Sequence, residues 1–373
     1  MSVNFIMYFY MFICVALLVF NILHILRGKR VARRQSRRAD QWALEIEGQL
    51  RLLERELPLQ EGHGRRLERR LTRVEQLMAY QEAVLLCVSR RTSSLVQRYL
   101  DGQYHSFQAL AVEYARRPAM ERAFYAYLMS IYHPNRDRGN PRLVEVLMSY
   151  FDDSTVFCRE NVLQALYAMG HAGAVEQAFT LMSERDWYHH VRLLSDGLMT
   201  FAGDKEALAW QLWRRRGNLS EPFQVATVQF ATNVSDAFSR TFLDALQDAS
   251  LPLETRFALL RYFQRRYYGP AQPLILALLE DETSGLAIAA AAALSRYPGD
   301  DTHQALMKAL HSRNWYVRRN AAASLVSMGV TEKDAQELLA GGDRYAAEML
   351  EYVLAQRGPA AALMKGKTAR VGV

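Results

Sequence analysis

The histidines are the residues of this chain best suited to a metal or an acid–base step, and their spacing supports neither. His189-His190, His303 and His311 lack the carboxylate-rich helical set that would complete a metal site, and no His-Glu dipeptide occurs. Cys14, Cys87 and Cys158 show no CxxC or paired spacing. No disulfide or zinc framework is implied, which fits a reducing compartment. GxSxG, P-loop and GxGxxG motifs are absent as well. The expectation is a protein that is not an enzyme, with no catalytic residue, cofactor or metal.

Arginine and the large aromatics carry a different chemistry, that of binding. Three clusters combine them: Trp187-Tyr188-His189-His190-Val191-Arg192, Arg265-Arg266-Tyr267-Tyr268, and Trp315-Tyr316-Val317-Arg318-Arg319-Asn320. Trp, Tyr and Arg dominate binding hot spots because each buries a large area and still hydrogen-bonds at its edge. The candidate partner-binding residues are Trp187, Tyr188, Arg192, Trp315, Tyr316 and Arg319. Packing of the apolar members between helices is the competing reading.

The elements that would position these residues recur. Residues 301–329 read as two amphipathic helices joined at Ser312-Arg313-Asn314, with Gly329 placed for a left-handed cap. One such pair cannot bury its own apolar stripe and needs a copy on either side. Aligning on Arg318 finds Ile288, Arg256, Gln224, Arg192, Arg159 and Arg122 at successive steps of 30, 32, 32, 32, 33 and 37 residues. Where the pattern is clearest, a β-branched residue and Arg precede small residues, Leu and Gly, as in Val156, Arg159, Ala165-Leu166 and Gly170.

These residues resemble HEAT repeats of the short kind also seen in phycobilisome-lyase-like proteins, over about residues 104–357, with the Arg missing at Gln224 and Ile288. The resemblance implies an α-solenoid with a long binding surface, its second helices lining the concave face. It also implies that the periodic Arg pairs with a loop Asp, and Asp153, Asp186 and Asp281 occupy such positions. Two catalytic relatives are disfavoured. Short-repeat di-iron hydroxylases carry His-Glu ligand pairs, and HEAT-like DNA glycosylases are soluble and basic along the groove.

The remaining features place the solenoid. Residues 5–26 hold no charge over 22 positions, about 33 Å as a helix, enough to cross a hydrocarbon core. Arg27, Lys29, Arg30, Arg33, Arg34, Arg37 and Arg38 follow before the first acid, Asp40, and without them 39 bases meet 39 acids. The net charge of +7 is therefore a juxtamembrane belt rather than a nucleic-acid surface. The belt puts the N-terminus outside and the bulk in the cytoplasm at an inner or plasma membrane, and it should touch anionic lipid headgroups.

From Leu67 a 4-3 spacing runs through Leu71, Val74, Met78, Gln81, Leu85, Val88, Thr92, Leu95 and Tyr99. This seam either dimerises as a coiled coil or packs within the chain, against residues 40–57 or the first repeat.

The expected class is all-α. A transmembrane anchor over 1–26, the basic belt over 27–38 and a helical or coiled-coil stalk over 39–101 precede a solenoid of about eight helix pairs over 102–357, with a flexible tail over 358–373. The expected function is a membrane-anchored scaffold that binds a protein partner in an inner-membrane assembly, such as an envelope or polysaccharide-synthesis machine. The alternative is a self-assembling or lipid-sensing module.

Overall fold

A computed structural model of the chain describes residues 3–134, 140–152, 154–281, 285–340 and 344–368, and no strand occurs among them. The chain forms two compact units, Met1–Ala178 with Thr200–Gly203, and Phe179–Met199 with Asp204–Val373.

The first unit begins with one uninterrupted helix, α1 (Val3–Glu54). Its 52 residues span about 78 Å at the standard rise. The apolar window near its start is long enough to cross a membrane, and none of that window is buried. The same helix then enters the core at Ala39, Trp42, Ile46 and Leu50. The basic belt lies between these two halves, on helix that is almost entirely exposed.

α2 (His63–Arg70), α3 (Val74–Arg90) and α4 (Ser93–Gly102) follow. Trp42 donates to Gln76 at 3.0 Å and meets Tyr80 edge-on at 5.5 Å. Further along, Arg90 pairs with Glu47 at 3.1 Å and Arg91 with Glu54 at 2.7 Å. Contacts advancing together along both helices mean that α3 runs in the same direction as α1 and packs on it. The stalk thus folds back within the chain.

Two details of the expected seam are corrected. The chain leaves helical geometry at residues 71–73 and 91–92, so the seam is not one helix. The face that α3 buries is Leu77, Tyr80, Val84 and Cys87, whereas Met78, Leu85 and Val88 are 46%, 53% and 39% exposed. Both sets follow 4-3 spacing. Trp42 and Ala43 of α1 select the one that starts a residue earlier.

A buried polar cluster closes this region. His63 Nε2 lies 2.9 Å from the Tyr99 hydroxyl, which accepts from Tyr80 at 3.2 Å. Burial pulls the His63 imidazole down to about 4, so it is neutral in the folded state.

Helix pairs then repeat: α5 (Tyr104–Ala115) with α6 (Ala119–Tyr132), and α7 (Pro141–Ser149) with α8 (Val156–Met169). α9 (Ala172–Glu184) leads into the second unit, where it precedes α10 (Val191–Met199). Next come α11 (Lys205–Arg214) with α12 (Glu221–Val234), and α13 (Ser239–Leu246) with α14 (Leu253–Arg265). The last pairs are α15 (Gln272–Glu280) with α16 (Leu286–Ala293), α17 (Asp300–Ala309) with α18 (Trp315–Ser327), and α19 (Glu332–Ala340) with α20 (Arg344–Thr368). The architecture is an all-α solenoid. α20 extends past the stop expected at Arg357-Gly358-Pro359, through the strong helix formers Ala360, Ala361 and Ala362.

Caps set these ends. Thr155 accepts from Cys158 N at 3.2 Å to start α8, and Asn314 accepts from Tyr316 N at 2.9 Å to start α18. Gly329, at φ 106°, ends α18, and Val330 N reaches back to Leu325 O at 3.1 Å. Gly170, at φ 67°, ends α8 in a tighter place: a Cβ there would lie 3.2 Å from the Gly203 nitrogen.

Candidate functional site

The periodic arginines stand at the first turn of the second helices, and Arg159, Arg256 and Arg318 hold the turn that precedes them. Arg318 Nη1 donates to Ser312 O at 2.7 Å and Arg313 O at 3.1 Å. Arg159 donates to Ser154 O at 3.0 Å, and Arg256 to Leu246 O at 3.4 Å. Arg122 reaches Asp152 O at 2.8 Å in the next pair. Gln224, where the Arg is missing, does the same with an amide, donating to Arg216 O at 3.1 Å and Leu219 O at 2.8 Å.

The acceptors seen here are backbone carbonyls, which stand beside the expected loop carboxylates as partners of the periodic position. A guanidinium fork can serve two carbonyls of one turn, which a single side-chain carboxylate does not require. Asp153 lies outside the described residues, and Arg192 pairs with Asp196 rather than Asp186. At Asp281 the corresponding second-helix position is Ile288, whose side chain cannot donate.

A second set of side chains fixes register between successive second helices. Asn161 donates to Ala123 O at 2.9 Å and Asn320 to Ile288 O at 2.8 Å. Each Asn follows its Arg by two residues. Ser324 adds a buried bond to Ala291 O at 2.7 Å.

Once register is set, α10, α12, α14, α16 and α18 form one layer, each helix against the next. The open face of this layer carries a groove. Over α10, α12 and α14 it is a cavity of about 480 Å³, lined by Arg192, Asp196, Gln229, Asn233, Arg261 and Arg265 among others. Arg192 Nε lies 3.4 Å from Asp196, both well exposed, and Arg265 donates to the neutral Asn233 amide at 3.2 Å. Arg261 shares the next cavity, of about 280 Å³, where Phe257, Ile288, Ala289 and Ala292 make the wall apolar.

Of the candidate residues, Arg192 lines this groove, as does Arg265 from the second aromatic and basic cluster. Trp187, Tyr188, Trp315, Tyr316 and Arg319 do not line either cavity. Tyr188 and Tyr316 are nevertheless 71% and 61% exposed, and Arg319 sits 5.9 Å over the Trp315 ring. Sequence reasoning missed Gln229, Asn233, Arg261 and Gln264. Their signal was polar residues three or four apart on second helices, on the side away from the apolar stripe.

What the groove offers is recognition. Guanidinium groups bind carboxylates through paired bonds, and Gln and Asn present a donor and an acceptor together. No group of three or more His, Cys, Asp or Glu poised for a metal ion occurs among the described residues.

Residues 271–351, the helices from α15 into α20, match the family model for HEAT repeats. This segment is built of HEAT repeats. The HEAT match and the all-helical architecture support a helical-repeat fold, of a kind that presents an extended surface suited to holding other proteins. No curated protein matches the chain.

Proposed function

We propose that this protein is a single-pass membrane scaffold whose HEAT repeats hold a protein partner close to the bilayer. The observation that carries the reading is α1: an apolar segment with none of its surface buried continues, without a break, into a helix whose far end is core. Burial in lipid is what such a segment lacks. The seven cations from Arg27 to Arg38 orient it with the N-terminus outside and the repeats in the cytoplasm, at an inner or plasma membrane, where they meet anionic headgroups. Tethering raises the effective concentration of a bound partner at the membrane without chemistry. A one-helix anchor with a binding surface suits a component of an envelope or polysaccharide-synthesis assembly.

The test is recovery of partners from detergent-solubilised membranes, comparing the intact protein with a variant carrying Trp187→Ala, Arg192→Ala, Trp315→Ala and Arg319→Ala. Loss of one partner supports the reading; equal recovery of every partner rejects this face as the binding surface.

A second reading, self-assembly, is favoured by the outer face of α3. Met78, Leu85 and Val88 form an exposed apolar stripe at coiled-coil spacing. Two copies anchored in one membrane would present these stripes side by side and in parallel.

A further inference from the structure

The groove over α10 to α18 has two halves of different chemistry, and its occupant can be read from them. This inference rests on the scaffold reading and deepens it. We propose that the groove binds an extended peptide segment of the partner, with acidic side chains over α10, α12 and α14 and a large apolar side chain over α14, α16 and α18.

Charge selects the acidic half. Three guanidinium groups, Arg192, Arg261 and Arg265, line the larger cavity with a single carboxylate, Asp196. That carboxylate lies on the outermost helix of the three and is engaged with Arg192. Arg265 is bonded to a neutral amide, and Arg261 borders the next cavity, whose lining adds one acid, Glu254, so the groove as a whole sets three guanidinium groups against two carboxylates, one of them engaged with Arg192.

The amides select a peptide rather than another polyanion. Asn233 is committed at both ends, to Gln229 O and to Arg265; Gln229 and Gln264 remain among the arginines. Each offers both a donor and an acceptor, which matches the alternating N–H and C=O of an extended backbone and has no counterpart in a phosphate chain. A nucleic acid would need the cations to continue along the groove, and beyond Arg261 they stop. The wall there is mostly apolar, Phe257, Ile288, Ala289 and Ala292, with Glu254 and Asn320 also in the lining.

That apolar depression follows from the repeat itself. Ile288 stands where other repeats carry the loop-holding Arg, and Ala289 and Ala292 leave room above it. The depression's volume of about 280 Å³ is enough for one large apolar side chain. Adjacent packed helices lie about 9 Å apart and an extended chain advances about 3.3 Å per residue. A segment of about five or six residues therefore covers the cationic half, and about eleven cover both halves.

The experiment is selection of displayed random twelve-residue peptides on the full-length protein in lipid nanodiscs, with binding of individual synthetic peptides followed by fluorescence polarisation. Enrichment of Asp and Glu ahead of Phe, Leu or Tyr is the expected result. Arg261→Glu should weaken the selected peptides at least tenfold. Ile288→Arg should weaken them unless their apolar residue is replaced by Ala. Arg240→Glu, on the exposed side of α13, should change nothing. A melting curve matching the parent protein keeps Arg261→Glu interpretable.

Enrichment of basic peptides, no enrichment, or acidic peptides that bind Arg261→Glu unchanged would overturn the proposal. So would single-stranded DNA or anionic vesicles displacing the peptide through the same residues. If peptides fail while the partner is still recovered from membranes and lost with the four-alanine variant, the groove assignment falls and the scaffold reading stands. If the intact protein also recovers no partner from membranes, the scaffold reading falls with it.

Discussion

Replacing Arg318 with Leu isolates what the periodic arginine contributes. The side chain makes two charge-assisted bonds, to Ser312 O and Arg313 O, and its Nε is buried without a partner. Hydrogen bonds to a charged group contribute roughly 1.5–3 kcal/mol when fully protected. Here Arg318 and Ser312 are half-buried and Arg313 is exposed, so water can take over part of the bonding at the carbonyls. Leu also spares the cost of the unpartnered Nε. We expect a net loss of about 1–2 kcal/mol, confined to the α17–α18 turn. The Arg318→Gln variant should lose about half of that, because Gln224 shows an amide performing the same task. Native-state hydrogen exchange on the full-length protein reads the effect locally, as faster exchange at the amides of α18's first two turns. Unchanged protection in Arg318→Leu would refute the loop-holding role. Equal and large losses in both variants would show that the charge, not the carbonyl geometry, matters.

Three further outcomes follow from particular contacts. His63 binds its proton less readily folded, at about 4, than its ordinary 6.5. Stability it supports is therefore present above pH 6.5 and lost as the pH falls toward 4, at most about 3 kcal/mol in all. Urea titrations at several pH values should show this loss and His63→Gln should flatten it, whereas an NMR titration of His63 near 6.5 would contradict it. Gly170→Ala forces a Cβ into a left-handed turn 3.2 Å from the Gly203 nitrogen and should cost about 1–3 kcal/mol in thermal unfolding; a neutral result would show that the turn relaxes freely. Leu85→Asp places a charge on the exposed stripe of α3. Cross-linking in nanodiscs should fall to monomer if that stripe self-associates, and a monomeric parent protein removes the self-assembly reading.

Much of the solenoid was legible because two physical signals agree: the 3.6-residue apolar period and the Gly, Pro and Asn punctuation between helices. The stalk was less so. No Gly or Pro marks the breaks at Leu71–Arg73 and Arg91–Thr92, and α3 carries two overlapping 4-3 series, of which only packing on Trp42 chooses one. The arginine partners were illegible for another reason. A backbone carbonyl has no residue type, so the bonds of Arg318, Arg256 and Gln224 to their preceding turns left no mark in the sequence. The groove residues escaped because an exposed Gln or Asn looks like any solvated surface until register aligns Gln229, Asn233 and Gln264 across neighbouring helices.

The central claim is that a partner lies on the open face of the second-helix layer while α1 sits in the membrane. Site-specific photocross-linking in native membranes addresses it directly, with the photoreactive residue at Gln264 in the groove or at Asp244 on exposed α13. The account predicts a single protein adduct from position 264, in the carbonate-resistant membrane fraction, and none from position 244. Equal adducts from both positions, no adduct from 264, or a cross-linked product released from the membrane by carbonate would contradict it.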